Sequence, residues 1–551
     1  MIRILSILLF LTCLLDNSFA QGEWNNWVFG GNVGLNFVSS PPSVFLNTGS
    51  GSAGSMAVIS DSSGQLLFYS NGESVYNRNH SLMQNGNGLF CLTGTFLSPV
   101  CAASMVGDEF RYYLFTIEGD PWSGNWGLYY SIVDMRLDDG LGGIVVGQKN
   151  IPVSGGEEIE HGIMGIRHEN KRDFWLISQG RRTMAANRYL AFLVDKDGIH
   201  EPVISYSSVS FSIIGKGYKL AMNEEGTKLI GQFGKRVLEY CDFDASTGQV
   251  TPLFTYDFAE GAGIEMHLCF SWSGNKLYVS RWESGYHTYE YSLYQFDSSI
   301  ADSTLFANSK IAIMKKGNYF GALSLGKDGK IYKSEYDEPM VGGWNDSIGI
   351  IRQPELSGMS CGFEPSVIDL HGKGSGGGFP QILQRYFAYI HHSGFCQGAS
   401  ICFEPNTWPP PDSLWWDFGD PSSGLANFSN DSTPEHIFNA PGIYTVKMIV
   451  RHVDMRYDTA ALNLTIEPQP MPNLGPDRMV CQDQPVILNA GFNPQWTYLW
   501  STGETTPTIT VTNTGTYSVT VTSPNGCTGT DEVVLSIIPG STPEPKPIKH
   551  N

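Results

Sequence analysis

The chain has 551 residues, enough for roughly two to four domains. It carries 62 Gly and 30 Pro, and 12% of its residues are aromatic whereas only 16% are charged. This composition is poor in helix-favouring residues and rich in turn and strand formers, so it favours an all-β fold. The net charge of −20 repels phosphate backbones and argues against nucleic acid as a partner.

Residues 1–20 have the features of a signal peptide. Arg3 supplies a positive charge, Ile4 to Leu15 form an apolar run too short to span a bilayer, and Ser18 and Ala20 are small residues at a cleavage site. We expect cleavage after Ala20 and a secreted or cell-surface protein; an uncleaved membrane anchor is the alternative. No later stretch of the sequence is apolar for long enough to predict a membrane span.

A strand–turn–strand pattern recurs through residues 21–386. Its turns contain Asp, Asn or Ser with Gly, the residues that tight hairpins require, and consecutive turns lie 44 to 62 residues apart. Six such turns are marked by Gly64, Asp108, Asn170, Gly226, Gly274 and Gly329. With about four short strands to each unit, this period predicts the blades of a β-propeller, which bury their faces against one another.

The two ends of the repeating region are each about half a unit long. We expect residues 24–45 and 358–386 to pair and close the ring as a seventh blade, with six or eight blades as alternatives. A large irregular sandwich is the alternative fold for the whole region.

Two shorter all-β segments follow the predicted propeller. Residues 387–467 hold short alternating strands typical of a small sandwich, and residues 473–539 hold a second set. The proline-rich residues 468–472 are predicted to be a linker, and residues 540–551 a disordered tail. The predicted fold is therefore all-β, with a propeller of about seven blades followed by two β-sandwiches.

The first of these sandwiches contains a specific motif. Its members are Trp416, Asp417, Phe418, Gly419 and Asp420, followed by Pro441, Gly442 and Tyr444. They resemble the PKD domain (the polycystic-kidney-disease repeat), although Phe438 stands where that family usually has Tyr. Trp416 and Phe418 alternate along a strand and are expected to fill the core. Asp417 and Asp420 are expected to cap turns, with a Ca²⁺ site as the alternative.

The second sandwich is similar to Ig-like modules of Bacteroidetes surface proteins. Residues 473–477, 499–503 and 515–521 carry this similarity. Two cysteines clasp the domain in that family, so the resemblance implies a Cys481–Cys527 disulfide, and Cys396–Cys402 is the next candidate. Nine cysteines remain once Cys13 leaves with the signal peptide, so at least one thiol is unpaired or joins another molecule.

The predicted propeller has its own resemblance. Residues 59–61, 67–72 and 75–77 are similar to the N-terminal halves of Bacteroidetes PKD proteins associated with gliding motility or type IX secretion. The sequence contains no G-x-S-x-G elbow, H-E-x-x-H motif, P-loop or C-x-x-C pair. We therefore predict no catalytic residue, no cofactor and no metal ion.

A few polar groupings are candidates for chemistry. The acidic residues and histidine at 157–161 resemble a metal or acid–base cluster, and Glu265 and His267 alternate on one strand face. Arg181 and Arg182 suit a carboxylate or sulfate. In each case a solvated loop or a polar rim position is the simpler interpretation.

These observations predict a non-catalytic binding or adhesion protein. The propeller would bind an extracellular glycan or protein, and the sandwiches would serve as spacers or interaction modules. Trp122 and Trp126 are candidate ligand contacts through stacking, with packing between blades as the alternative. The competing hypothesis is a polysaccharide hydrolase or lyase, which we expect to show inward-facing carboxylates at one mouth of the propeller.

Overall fold

The structure, a computed structural model, is almost entirely β. It describes residues 22–49, 56–91, 100–119, 126–156, 159–180, 187–209, 219–234, 236–258, 262–284, 289–317, 321–336, 344–375, 378–383, 387–408, 411–452, 457–481 and 485–538. The predicted signal peptide and disordered tail lie outside these residues. None of the helices described is long and apolar enough to cross a membrane.

The chain divides into two compact units. The first comprises residues 1–391, 405–415 and 448–461, and the second comprises residues 392–404, 416–447 and 462–551. The predicted propeller thus belongs to the first unit, and the second sandwich belongs to the second unit.

In the described part of the first unit, seven antiparallel sheets succeed one another along the chain. The first three lie within residues 26–152. The first sheet contains β1 (Asn26–Phe29), β2 (Val33–Asn36) and β3 (Ser43–Leu46); the second contains β4 (Ala57–Ser60), β5 (Leu66–Ser70) and β6 (Val75–Asn77). The third contains β7 (Val100–Ser104), β8 (Arg111–Gly119), β9 (Trp126–Asp134), β10 (Gly143–Ile144) and β11 (Ile151–Pro152).

The remaining four sheets have four or five strands each. The fourth contains β12 (Ile159–Arg167), β13 (Phe174–Gly180), β14 (Arg188–Asp195), β15 (Gly198–Ile199) and β16 (Val203–Tyr206); the fifth contains β17 (Leu220–Met222), β18 (Lys228–Phe233), β19 (Val237–Asp244) and β20 (Gln249–Asp257). The sixth contains β21 (Ala262–Phe270), β22 (Lys276–Ser284), β23 (Tyr289–Asp297) and β24 (Ile311–Gly317), and the seventh contains β25 (Leu323–Leu325), β26 (Ile331–Tyr336), β27 (Trp344–Ile351) and β28 (Phe363–Asp369). The short helix α1 (Ser303–Asn308) precedes β24, and its N-cap Asp302 accepts hydrogen bonds from two backbone N–H groups.

The turns between first and second strands follow from their residue types. In the fifth sheet, Asn223 Oδ1 accepts hydrogen bonds from the backbone N–H groups of Thr227 and Lys228, at 2.9 and 2.8 Å. Gly226 in the same turn has a φ of +69°, which an L side chain rarely adopts. Such Asn–Gly and Asp–Gly turns set the hairpins that the sequence predicted.

Apolar clusters between consecutive sheets close the ring. Val28 of the first sheet packs against Val58 of the second sheet and against Met56, which directly precedes that sheet. On its other side the first sheet meets the seventh, where Trp27 lies 5.5 Å from Tyr332 between ring centroids. The other five junctions are filled in the same way. Each sheet therefore buries its apolar faces against two neighbours, which confirms the predicted seven-bladed propeller.

The seventh blade does not form as expected. β1 to β3 make the first sheet from N-terminal residues alone, and β28 completes the seventh sheet beside β27, so the described residues of the two ends share no sheet. The ring closes by packing instead, because all four residues of β1 are buried. Residues 378–383 return to the ring centre, where Gln381 donates its backbone N–H to Met56 O at 3.2 Å and its side-chain Nε2 to Ile163 O at 2.9 Å.

Two β-sandwiches follow in the chain. The first contains β29 (Phe387–His392), β30 (Ser400–Trp408), β31 (Pro411–Asp417), β32 (Phe428–Ser429), β33 (Glu435–Ile437), β34 (Gly442–His452) and β35 (Tyr457–Ile466), in sheets ordered β29-β30-β33 and β32-β31-β34-β35. The second contains β36 (Arg478–Cys481), β37 (Val486–Asn489), β38 (Thr497–Trp500), β39 (Thr508–Val511), β40 (Gly515–Thr522) and β41 (Thr528–Ile538), in sheets ordered β36-β41-β40-β38 and β37-β39. Short 3₁₀ turns span Gly22–Trp24, Asp138–Gly140, Gly358–Cys361 and Pro421–Asn427.

Both predicted disulfides are wrong. Cys396 is bonded to Cys527, 131 residues away, whereas Cys402 and Cys481 are free. Cys481 is exposed on β36, whose register places it beside Ile538, while Cys527 is buried beside Cys396. The bond therefore joins the start of the first sandwich to the second sandwich instead of clasping one domain.

Candidate functional site

The two ends of the propeller differ in character. The first strands of neighbouring sheets adjoin one another and surround the ring axis. At one end, which we call the hairpin end, short turns join first to second strands, for example residues 168–173 and 223–227. At the opposite end, which we call the mouth end, the first strand of each sheet begins and the second strand ends. Most of the buried polar side chains discussed below lie at the mouth end.

Four buried cationic or potentially cationic side chains lie between the middle and the mouth end of sheets five to seven. Lys219, His267, Arg281 and Lys333 are at most 9% exposed. The Arg281 guanidinium lies 4.6 Å from the ring centroid of Phe258, a cation–π contact. So many buried cations are unusual in any protein and more so in one of net charge −20.

Burial and mutual repulsion set the charge of this group. Burial, reinforced by the positive charges of Lys219 and Lys333, holds the pKa of His267 well below its ordinary value. Burial also lowers the pKa of Lys333 to about 8, although Glu335 opposes this shift. At neutral pH the imidazole is therefore uncharged, and the lysine lies close to its titration point.

Two of the described carboxylates near these strand ends are held by hydroxyl groups. Glu335 accepts hydrogen bonds from the Ser347 and Ser366 hydroxyls, at 3.0 and 2.7 Å. Glu239 accepts one from the Tyr189 hydroxyl at 2.8 Å. Within the described part of the chain, these two carboxylates are structural acceptors and do not form the inward-facing acid pair of a glycoside hydrolase.

Two buried glutamines add neutral polar atoms to the mouth end. Gln179 Nε2 donates to Gln232 O at 3.0 Å, and Gln232 Nε2 donates to Gly234 O at 2.9 Å. The Oε1 atom of each glutamine accepts no hydrogen bond from the residues that the structure describes. A buried acceptor without a donor costs roughly 1–3 kcal/mol, and because both oxygens are shielded from solvent, a hydroxyl or N–H of a bound molecule reaches them only if neighbouring side chains move.

A cavity of about 240 Å³ occupies the ring centre. Lys219 and His267 line its mouth end, Glu224 lines its hairpin end, and Gln381 lines its wall. Burial raises the pKa of Glu224, and the charge of Arg167 opposes that rise. Below the cavity, the rings of Trp24, Trp272 and Tyr389 pack together, with the Trp272 and Tyr389 centroids 4.7 Å apart.

The motif of the first sandwich serves its core and turns. Trp416 and Phe418 are 2% and 1% exposed, as expected. Gly419 has a φ of +68°, and a Cβ there would lie 2.5 Å from Thr445 O, so only glycine fits. In the second part of the motif, Tyr444 donates its hydroxyl to Ala440 O at 2.9 Å, next to Pro441 and Gly442.

The motif carboxylates act as hydrogen-bond acceptors. Asp417 Oδ1 accepts from Gly419 N and from Asn427 Nδ2, at 2.9 and 2.8 Å. Burial would raise the pKa of Asp420, but hydrogen bonds from Ser422 and His436 lower it. No group of metal-ligating side chains occurs among the residues that the structure describes. This pattern is turn capping, the interpretation that the sequence favoured.

The structure describes only some of the other residues that the sequence suggested as candidates for a site. Trp122, Arg181, Arg182 and residues 157–158 lie outside the described residues, and Trp126 begins β9, although its side chain is not described. Glu160, His161 and Glu265 lie on strands without described side chains. His267 alone is placed in the candidate site. The sequence did not lead us to Lys219, Gln232, Arg281 and Lys333. The feature that marks them is that each is a polar residue in or beside an otherwise apolar strand.

Comparisons with known proteins are distant. No protein-family model and no curated protein matches the chain. It is similar to the periplasmic gluconolactonase of Pseudomonas aeruginosa, with 10% identity over 65% of this chain and 99% of that one, at a TM-score of 0.39. It is also similar to a putative 6-phosphogluconolactonase from Bacteroides fragilis, with 11% identity over 75% and 96% of the two chains, at a TM-score of 0.31. Scores this low carry no argument about activity.

Proposed function

We propose that this chain is an exported, non-catalytic binding protein whose propeller recognises an extracellular glycan or protein ligand at its mouth end. The sandwiches act as spacers or interaction modules, as their resemblance to PKD and Ig-like domains of surface proteins implies. The Cys396–Cys527 disulfide supports export, because such bonds persist in oxidising compartments.

One observation carries the binding role. Buried amide and cationic side chains gather at the mouth end, and the Oε1 atoms of Gln179 and Gln232 have no donor among the described residues. Orienting groups of this kind, set in an apolar frame, are typical of ligand sites. Glu239 and Glu335 at this end are already bound to hydroxyl groups, which disfavours these two carboxylates as the acid pair of a hydrolase.

A glycan array probed with the full chain tests this proposal. We expect retention of at least one glycan without its degradation. The double variant Gln179→Leu/Gln232→Leu should weaken retention at least tenfold, because it removes the free acceptors while preserving volume. Gln65→Leu, on an exposed residue of the hairpin end, is the control and should leave retention unchanged. Absence of retention on glycan and protein arrays alike would overturn the binding role.

A lyase acting on an acidic polysaccharide is the second candidate. His267 is neutral and lies near Lys333, so the pair combines a base with a proton donor. In such a β-elimination the base takes the proton beside the uronate carboxylate, the C–O bond to the neighbouring sugar breaks, and the leaving oxygen is protonated. Unsaturated product that appears with the wild type and disappears with His267→Gln would favour this candidate over pure binding.

A further inference from the structure

An accessible pair of aromatic rings lies at the mouth end, between the second and third sheets. Phe90 is 40% exposed, and its ring centroid lies 5.3 Å from that of the half-buried Tyr129 on β9, edge to face. The next residue, Cys91, packs against Gly72, which lies just beyond the end of β5. Because second strands end at the mouth end, Phe90 is exposed at the same end as the proposed ligand site.

The local sequence positions both rings. A Cβ at Gly127 would lie 2.9 Å from the Tyr129 ring, so the ring occupies the place that a side chain at position 127 would fill. The loop that carries Phe90 is fixed by Asn150, which accepts from Phe90 N and donates to Gly88 O, both at 3.0 Å. Both rings are therefore held by the fold and remain partly accessible.

Glu118 lies on the same face of the third sheet as Tyr129. It is opposite Gly127 in the β8–β9 pairing, two positions from the residue opposite Tyr129. Opposite residues of an antiparallel pair point to one face, and diagonal neighbours stay within reach of long side chains. The half-buried Glu118 therefore borders the aromatic pair.

Glu73 brings a second carboxylate from the second sheet. Its backbone O accepts from Leu89 N at 3.1 Å, and the residue is exposed. Burial and the negative charges of Glu73 and Glu118 raise the pKa of the Cys91 thiol to about 12. Both carboxylates thus act on the residue that follows Phe90.

The balance of charge around the aromatic pair favours a cation. Lys149 lies on the adjoining loop, but its ammonium donates to Asn85 O and Oδ1, each at 3.2 Å. Glu73 and Glu118 leave an excess of negative charge beside the rings, in a chain of net charge −20. An ammonium group that contacts an aromatic face and a carboxylate is attracted by both.

The backbone around Tyr129 favours a sugar over an extended peptide. At this residue β9 pairs with β8 along one edge and with β11 along the other, so an added strand finds no free edge there. Partly exposed rings beside strand ends suit instead the flat C–H face of a pyranose ring.

We propose that Phe90, Tyr129, Glu73 and Glu118 form a subsite for a glycan unit that carries a free amino group, a hexosamine. The sugar ring packs on the aromatic pair, and the carboxylates bind its ammonium group. This inference rests on the proposed binding function and adds to it a ligand class and a set of contacts that lie at the mouth end, away from the ring axis.

Isothermal titration of the full chain with the glucosamine hexamer and with the N-acetylglucosamine hexamer tests the assignment. The two probes share one sugar backbone and differ in charge at pH 6, where carboxylates are ionised and amines protonated. We expect saturable binding of the glucosamine hexamer that is at least tenfold tighter than that of the acetylated hexamer. This preference should diminish as salt is added, because exposed charges are screened.

Two variants separate charge from stacking. Glu73→Gln/Glu118→Gln should weaken binding of the glucosamine hexamer at least tenfold and leave the weak binding of the acetylated hexamer unchanged. Phe90→Ala should weaken binding of both hexamers, because it removes a ring. Glu109→Gln/Glu169→Gln, on exposed residues of hairpin-end turns, is the matched control and should bind like the wild type.

The outcomes separate this inference from the binding role. No saturable binding of the glucosamine hexamer by the wild type, equal affinity for the two hexamers, or an unchanged affinity in a folded Glu73→Gln/Glu118→Gln overturns the inference. Equally tight binding of a lysine hexapeptide also overturns it, since recognition would then depend on charge alone. These wild-type comparisons need no variant, so they decide the matter even where a variant fails to fold. If both sugar hexamers fail while the array retains another glycan, the binding role stands without this ligand class.

Discussion

At the residue scale, Asp134 links local hydrogen bonding to the stability of the propeller. Its carboxylate receives Arg136 Nε at 2.9 Å and Nη2 at 2.6 Å, and Arg111 Nε at 3.1 Å. The hydrogen bonds from Arg136, aided by Arg111, lower the pKa of Asp134 although burial opposes them. Because the folded pKa is depressed, this stabilisation is complete above the ordinary aspartate pKa and is lost as pH falls toward the folded pKa.

The substitution Asp134→Asn tests that coupling. We expect the free energy of unfolding to fall by about 1–3 kcal/mol at pH 7, since hydrogen bonds to a charged group are lost. The difference from the wild type should shrink as pH drops below about 4. Urea unfolding at pH 7 and pH 3 measures both values, with the exposed Asp197→Asn as control. A difference independent of pH would contradict the account.

At the element scale, the connection between the sandwiches is held from both sides. Glu467 O accepts from Gln397 N at 2.9 Å, and Glu467 N donates to Phe395 O at 2.8 Å. Gln469 Nε2 reaches Thr528 O at 2.7 Å, close to the Cys396–Cys527 bond. The predicted proline-rich linker 468–472 is therefore fixed by hydrogen bonds as well as by a disulfide.

Removing that disulfide should destabilise the second sandwich. We expect Cys527→Ser to lower its free energy of unfolding by about 2–5 kcal/mol, the usual effect of losing a native disulfide. Cys481→Ser and Cys402→Ser should change little, because both thiols are free. Urea unfolding with non-reducing peptide mapping measures this. Equal destabilisation by Cys481→Ser would instead indicate the pairing expected from the Ig-like resemblance.

Features that depend on neighbouring residues, such as the hairpin turns, could be predicted from the sequence. Features that depend on distant residues, such as the disulfide pairing, could not. Asn223 and Gly226 predicted their hairpin because the turn depends on neighbouring residues only. The partner of Cys527 depends on how two sandwiches approach, which no spacing encodes. The half-unit ends suggested a shared blade, yet buried β1 closes the ring by side-chain packing.

At the scale of the whole molecule, ring formation creates the candidate site. Lys219 and Lys333 belong to different sheets and act on His267 only because sheets five to seven adjoin about one axis. Sequence reasoning proposed His267 from strand alternation, but it gave no reason to join it with lysines 48 and 66 residues away. The propeller was therefore predictable from the spacing of its repeat. Which residues meet at its mouth end depends on how the sheets close into a ring, and the sequence does not show this.

Hydrogen–deuterium exchange of the full chain, with and without the glycan that the array retains, tests whether the propeller binds its ligand at the mouth end. We expect slower exchange in peptides that cover the mouth end of β12, β17 and β21, with the hairpin-end turns and both sandwiches unchanged. Protection confined to the sandwiches or to the hairpin-end turns would contradict the claim that the propeller binds its ligand at the mouth end.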